Sequence, residues 1–418
     1  MATAILSDLH LGAAHGDDLL RYPFFCDLLR EQLDGIDHVV LLGDILDLRF
    51  QQLEEALITA TPFLAMLGDV LREAEHPRVT YIPGNHDHHY AVRLIETEQE
   101  RAIEAGGSYT FQQVIAPPDF FLSRQLAHII GYPIAIRFAY FFDMLDSSEG
   151  PILLTHGHYL DLHLGAAPAR LLSLVQAAIT AAGQQVEELS PDLYEAILRP
   201  QYEVLHWIGQ SPGGGQIQSR IYERLRGGAP PSTRLSQLRR AALRRAASVG
   251  SRVGVALAET LANRLIKGGI SLTSLAREAQ AEETIHAFNL SLAVLEPYLP
   301  TGMRYVVFGH THRPGPLEDD LLDRWTVQVH GQDTIVMNAG SWLYDSGKAR
   351  RIDYRPQRWP GTFVLIPDQG PPRLVEALAD LSRDDLEAHL SARAPEELDQ
   401  QNGAEENGAE ADTLLSDY

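Results

Sequence analysis

Four times in the first 160 residues, a short apolar run with β-branched members ends in a polar turn built on Gly or Asp, and a stretch of helical spacing follows. TAIL leads into SDLHLG, HVVLL into GDILDL, VTYIP into GNHD, and PILL into THGH. Runs of this length suit buried strands, so the prediction is an α/β fold in which strands and helices alternate. In such sheets ligands sit outside the carboxyl ends of the strands, which is where all four polar turns fall. The pattern resumes late, with RYVVF running into GHTHRPG. RWTVQV, the turn HGQD and TIVMNAGSW then read as a β-hairpin, and GTFVLIP with RLVEAL as a further strand pair.

Between these halves the chain changes character. From about residue 160 to 300 it is rich in Ala, Leu and Arg and lacks strand alternation, so the expectation there is helix. SPDLYEAILRPQYEVLHWIG opens with Ser190 as N-cap and Pro191 at the first helical position. A longer pattern begins at Ser232 and stops at Gly268 and Gly269. From Pro395 onward there are eight acids and no base, the composition of a solvated, disordered tail. The expected organisation is a discontinuous core over 1–160 and 300–375, a helical basic insertion or cap over 161–299, and an acidic tail over 395–418.

Net charge narrows the partners. The chain carries -22 overall, which argues against general affinity for nucleic acid. That charge is segregated: from Arg220 to Arg277 there are eleven Arg and one Lys against Glu223 and Glu259, a net of +10 that leaves -32 for the rest. A basic helical segment of this kind suits an anionic membrane surface or a phosphorylated substrate, and it also reads simply as a solvated helix face. The lone Cys26 is read as a buried small apolar residue, compatible with a reducing compartment. With no signal-peptide pattern at the start and no apolar run of 18 residues, the expected location is cytoplasmic, with peripheral membrane contact through the insertion left open. Oligomeric state is not readable.

Collected in order, the strand-end turns supply Asp8 and His10, then Asp44 and Asp47, then Asn85, His86 and Asp87, then His156 and His158, and finally His310 and His312. Any one of these motifs reads as turn-forming Asp, Asn and Gly with incidental His. Five in succession deliver oxygen and nitrogen ligands from five strand ends to one edge. The set DLH, GDILD, GNHD, HGH and GHTH resembles the signature of the calcineurin-like metallophosphoesterase superfamily.

That resemblance implies a four-layer αββα sandwich carrying two divalent metal ions, with Mn favoured over Fe or Zn. It implies Asp8, His10 and His312 on one metal, Asn85, His156 and His310 on the other, and Asp44 bridging them. Phosphate ester or pyrophosphate hydrolysis would follow by in-line attack of a metal-bridging hydroxide. His86 would face the substrate and assist the leaving oxygen, steadied by Asp87, a role that needs a pKa near the working pH. Asp47 and His158 are expected behind the ligands or on the substrate side. His88 and His89 match no ligand position and are read as solvent-facing rim residues.

GHTHRP, NAGSW and the helical insertion between HGH and GHTH further resemble the branch containing UDP-2,3-diacylglucosamine pyrophosphohydrolase, in which the insertion shelters acyl chains. The chain departs from that branch at His86, where the branch has Arg, and at HGH, where it has HGD. The aromatic stretch from Tyr109 to Phe142 reads either as core or as an acyl-binding wall. The phosphorylated substrate is therefore expected to be a small molecule or a lipid. A DNA-exonuclease-like phosphodiesterase and a non-catalytic scaffold on the same fold are the alternatives.

Overall fold

The computed structural model describes residues 2–160, 191–210, 285–344 and 360–391, with short gaps at 14–17, 50, 108–113, 118, 133, 286–287, 290–291, 294 and 319. The basic run from Arg220 to Arg277, Ser190 and the acidic tail lie outside the described residues. The chain divides into two compact units, residues 1–376 and 377–418.

The first unit is built on two sheets. One has the order β12-β11-β1-β2-β3-β5-β4, formed by Arg373–Glu376, Thr362–Ile366, Ala2–Leu6, Ile36–Leu42, Arg78–Ile82, Ile136–Tyr140 and Val114–Ile115. The other has the order β6-β7-β8-β10-β9, formed by Asp143–Ser147, Gly150–Leu154, Tyr305–Phe308, Gln332–Asn338 and Thr326–Val329. Every apolar run singled out in the sequence is a strand, and both late pairs are antiparallel as expected: β9 with β10 and β11 with β12. The sequence reading did not anticipate β5 and β6, which leave the FAYFF stretch as core: Phe138, Tyr140 and Phe141 are buried, with Phe138 stacked on Tyr81 and Phe141 on Tyr159.

Alternation along the strands explains the layering. Ile5, Val40, Leu42 and Ile82 from the first sheet meet Ile152, Leu154, Tyr305, Val307 and Met337 from the second in one buried cluster, so the main core lies between the sheets. A fully buried aliphatic side chain of this kind stabilises the fold by roughly 1.5–3 kcal/mol. The intervening residues face outward. Helices α1 (Pro23–Gln32), α2 (Leu53–Glu73) and α4 (Phe121–Ile130) pack together outside the first sheet, α2 against β2 and α4 against β5. On the second sheet, buried Ile285, Phe288, Leu292 and Leu295 recur at helical spacing, and Phe288 lies 4.6 Å from the outward-facing Phe308 ring. The result is the expected two-sheet α/β sandwich with helices outside.

Helix α3 (His88–Glu104) begins directly at the GNHD turn and packs against α5 (Pro191–Gly209), a helix of the predicted insertion, which starts at Pro191 as its sequence suggested. The far end of α5 is locked down by Gln210, whose side chain donates to Leu48 O at 3.1 Å and Gln51 O at 2.8 Å and accepts from Leu53 N. Within residues 377–418 the described helix is α6 (Arg383–Ser391). No helix among the described residues is long and apolar enough to cross a membrane.

β1, β2 and β3 run parallel, as do β7 and β8, so the turns after them open on the same edge. Loop-to-loop bonds tie those turns together: Asp8 N donates to Gly43 O at 3.0 Å, His10 N to Asp44 O at 2.8 Å, and Gly309 N to His156 O at 3.1 Å. NAGSW braces them further, with Asn338 Nδ2 donating to Gly309 O at 2.8 Å and Ser341 Oγ to Asp8 O at 3.1 Å.

Candidate metal centre

Five of the side chains delivered by these turns sit on strained backbone. Asp8, His10, Asp44, His310 and His312 all have φ between 49° and 67°, a left-handed conformation that costs residues bearing a Cβ roughly 1–3 kcal/mol each. Strain of this sort survives where the surrounding bonds over-determine it, and it clusters at functional sites.

Their donor atoms fall into two groups. Asp8, His10 and His312 lie together, with His312 Nε2 at 3.2 Å from Asp8 Oδ1 and at 3.1 Å from His10 Nε2. Asp44, His156 and His310 form the second group, and Asn85 joins it, its Oδ1 lying 3.2 Å from His156 Nε2 and 2.9 Å from His310 Nδ1. Asp44 faces both groups: Oδ1 is 3.4 Å from His156 Nε2, and Oδ2 is 3.7 Å from His10 Nε2. Two glycines make this proximity feasible. A Cβ on Gly43, whose φ is +74°, would lie 2.1 Å from His156 Nδ1, and one on Gly84 would lie 2.3 Å from Asp44 Oδ1.

The residues present fit divalent cations. Asp8 Oδ1 is buried without a hydrogen-bond partner, although Asp8 Oδ2 accepts from Ser7 Oγ and His310 N. Asn85 points its carbonyl oxygen at ring nitrogens. With its oxygen toward the rings Asn85 can ligate a cation; turned over, the amide would instead donate to both rings and to Asp44 Oδ2 at 3.1 Å. Oxygen and imidazole donors without thiolate suit Mn, Fe or Zn.

Charge tells the same story. Burial pushes the Asp8 and Asp44 carboxyls up, but the imidazoles around them, His312 and His156 for Asp8 and His156 and His86 for Asp44, hold both well below the usual carboxylate range. Burial pulls His10 down while Asp47 and Asp8 outweigh it, raising it to about 10; Asp44 and Asp8 likewise raise His156 to about 9 against its burial. The anionic oxygens demand positive charge at this spot.

Asp47 lies behind the ligands, its Oδ2 3.4 Å from His10 Nδ1, but it also takes the place beside His86 that was expected of Asp87. His86 is paired through Nδ1 with Asp47 Oδ1 at 2.8 Å. Asp87 instead accepts from Ile45 N, Gly84 N and Tyr81 Oη, holding the turns in place. Nor does His86 titrate near neutrality: burial and the Arg49 guanidinium push it down to about 4, against the pull of Asp47 and Asp44. His88 is no rim residue, being only 1% exposed. His89 is half-buried, paired to Glu203 at 3.1 Å and stacked on His206. His158 is fully buried against Tyr140.

Arg49 was missed. It is 4% exposed, its Nη1 lies 3.2 Å from His86 Nε2, and its Nη2 donates to Asn85 O at 3.1 Å. The available signal was its position, two residues beyond Asp47 in the same strand-end turn.

Residues 1–197 match the calcineurin-like phosphoesterase family. No curated protein gives a match to the chain.

Proposed function

We propose that the chain, whose residues 1–197 match the calcineurin-like phosphoesterase family, is a metal-dependent hydrolase of phosphoric ester bonds that works with two divalent ions, one among Asp8, His10 and His312 and one among Asn85, His156 and His310, with Asp44 shared. The observation that supports this most is the Asp44 carboxylate, whose two oxygens face one donor group each. When bound, such a pair supplies Lewis acidity and generates a nucleophile from water at neutral pH. Mn is the favoured metal.

The chain's own residues supply the rest. Arg49 is the phosphate-binding group: its buried guanidinium offers planar paired donors beside His86 and has an Nε without a partner. A phosphate bound by Arg49 would bring negative charge beside His86 and so oppose the burial and the Arg49 charge that hold its pKa down, favouring the protonated ring. Asp47 keeps that ring oriented through Nδ1. As the new bond from the water oxygen to phosphorus forms and the bond to the leaving group breaks, the leaving oxygen takes the proton from His86 Nε2.

A panel of p-nitrophenyl phosphate, bis(p-nitrophenyl) phosphate, a nucleoside diphosphate ester and single-stranded DNA, run with Mn, separates monoester, diester, pyrophosphate and nuclease activity. The proposal expects hydrolysis of at least one ester and a loss of ~10²–10⁴-fold in His86→Ala with metal content unchanged. Equal turnover of His86→Ala and wild type would remove His86 from the chemistry, and no hydrolysis of any member would remove the catalytic reading.

A further inference from the structure

Behind the metal centre lies a second cluster that the proposed chemistry does not use. His88 opens α3, Tyr140 ends β5, His158 follows β7, and Glu195 comes from α5, so the cluster joins the insertion helix to three elements of the core. Its contacts are short. His88 Nε2 is 3.1 Å from Tyr140 Oη and 3.2 Å from Glu195 Oε1, Tyr140 Oη is 3.2 Å from His158 Nε2, and Tyr140 Oη also meets Glu195 Oε1. His88, Tyr140 and His158 are each no more than 1% exposed, and the Glu195 side chain is 12% exposed.

Hydrogen bonds alone serve this cluster poorly. Tyr140 has one proton, so with its hydroxyl donating to Glu195 both imidazoles must carry their protons on Nε2. That leaves both Nδ1 atoms as buried acceptors without a donor, and Glu195 Oε2 is buried without a partner as well. Leaving a buried carboxylate oxygen unsatisfied costs several-fold more than making an ordinary hydrogen bond gains. A cation relieves the carboxylate, because Glu195 can then bind through both oxygens, while the two imidazoles present their Nε2 lone pairs to it and carry their protons on Nδ1. The spacing fits at three of the four contacts: four ligands at tetrahedral angles and bonds of ~2.0 Å are ~3.3 Å apart, close to the 3.1 and 3.2 Å found here, and only Tyr140 Oη and Glu195 Oε1 stand closer than that. Two imidazoles and a carboxylate are a zinc-type donor set.

We infer that His88, His158 and Glu195, with Tyr140 as fourth donor, form a separate zinc site that pins α5 onto the core beside the catalytic centre. His158 stands two residues beyond His156, their ring centroids 5.7 Å apart. Loss of this ion loosens the Glu195 end of α5 and, with it, the Tyr202 ring that lies 5.2 Å from the Arg49 guanidinium.

Elemental analysis of the full chain, stripped of metal, reloaded with Zn²⁺ and desalted, tests this. Three equivalents are expected in wild type, two in Glu195→Gln and in His88→Asn, with His312→Ala losing an equivalent from the other centre. Wild type that never exceeds two, or a folded Glu195→Gln that keeps three, overturns the site. One equivalent removed by Glu195→Gln and not by His312→Ala would sustain this site and sink the two-metal reading, so the two fail separately. Co²⁺ loading of wild type guards against variants that do not fold: the intense visible bands of tetrahedral cobalt are expected, and their absence overturns the proposal.

Discussion

Gly84→Ala tests the position of the shared carboxylate without replacing any proposed ligand. The methyl would lie 2.3 Å from Asp44 Oδ1, 2.6 Å from Asp44 N and 2.7 Å from His156 Cδ2. Gly84 has no positive φ, so the backbone itself accepts alanine and the contacts alone refuse it. Ordinary contact begins at 3.4 Å, so the carboxylate oxygen must retreat by about 1 Å, several times the ~0.2 Å tolerance of a metal–ligand distance. The overpacking costs about 1–3 kcal/mol of stability, and a 1 Å displacement at a reacting centre costs about 10²-fold in turnover. The assay is hydrolysis of an aryl phosphate across a Mn titration, alongside a thermal melt. Gly107→Ala is the control, since its nearest neighbour is Ala102 O at 3.5 Å. A Gly84→Ala protein with wild-type metal affinity and turnover would refute the placement of Asp44 between the two donor groups.

Other perturbations probe neighbouring parts. Asp47→Asn removes the charge that orients His86 and backs His10, and at saturating Mn it should lower kcat by about 10–100-fold; a wild-type kcat would return the orienting role to Asp87. Asp87→Asn should instead act on the fold, losing about 1–3 kcal/mol in urea denaturation because Ile45 N, Gly84 N and Tyr81 Oη share that carboxylate. His38 is buried on β2 beside Thr80, and burial, aided by Arg78, pushes its pKa from 6.5 down to about 4. The unfolded chain therefore binds the proton first as pH falls, so this contribution is full above pH 6.5 and is lost between 6.5 and about 4, by up to ~3 kcal/mol. His38→Gln should flatten the fall in stability across that window, and an unchanged slope would contradict the account.

The strand-end turns were legible because a short β-branched run followed by Gly or Asp leaves few options for strand direction, and the liganding side chains sit within the turns themselves. What escaped depends on distant partners. β5 and β6 escaped because FAYFF and the residues around it lack clear alternation between buried and exposed positions. His88 reads as a rim residue until Glu195, from a helix more than a hundred residues away, covers it. The choice between Asp47 and Asp87 as partner of His86 turned on side-chain direction across two loops, which adjacency in sequence favours wrongly. Arg49 carried a signal in its position but none in its type, since an arginine after a strand is usually a surface residue.

Anomalous diffraction from crystals soaked in Mn²⁺ tests the central claim most directly. Two peaks are predicted, one among Asp8, His10 and His312 and one among Asn85, His156 and His310, with an Asp44 oxygen on each. A single peak, or peaks that Asp44 does not touch, would contradict it.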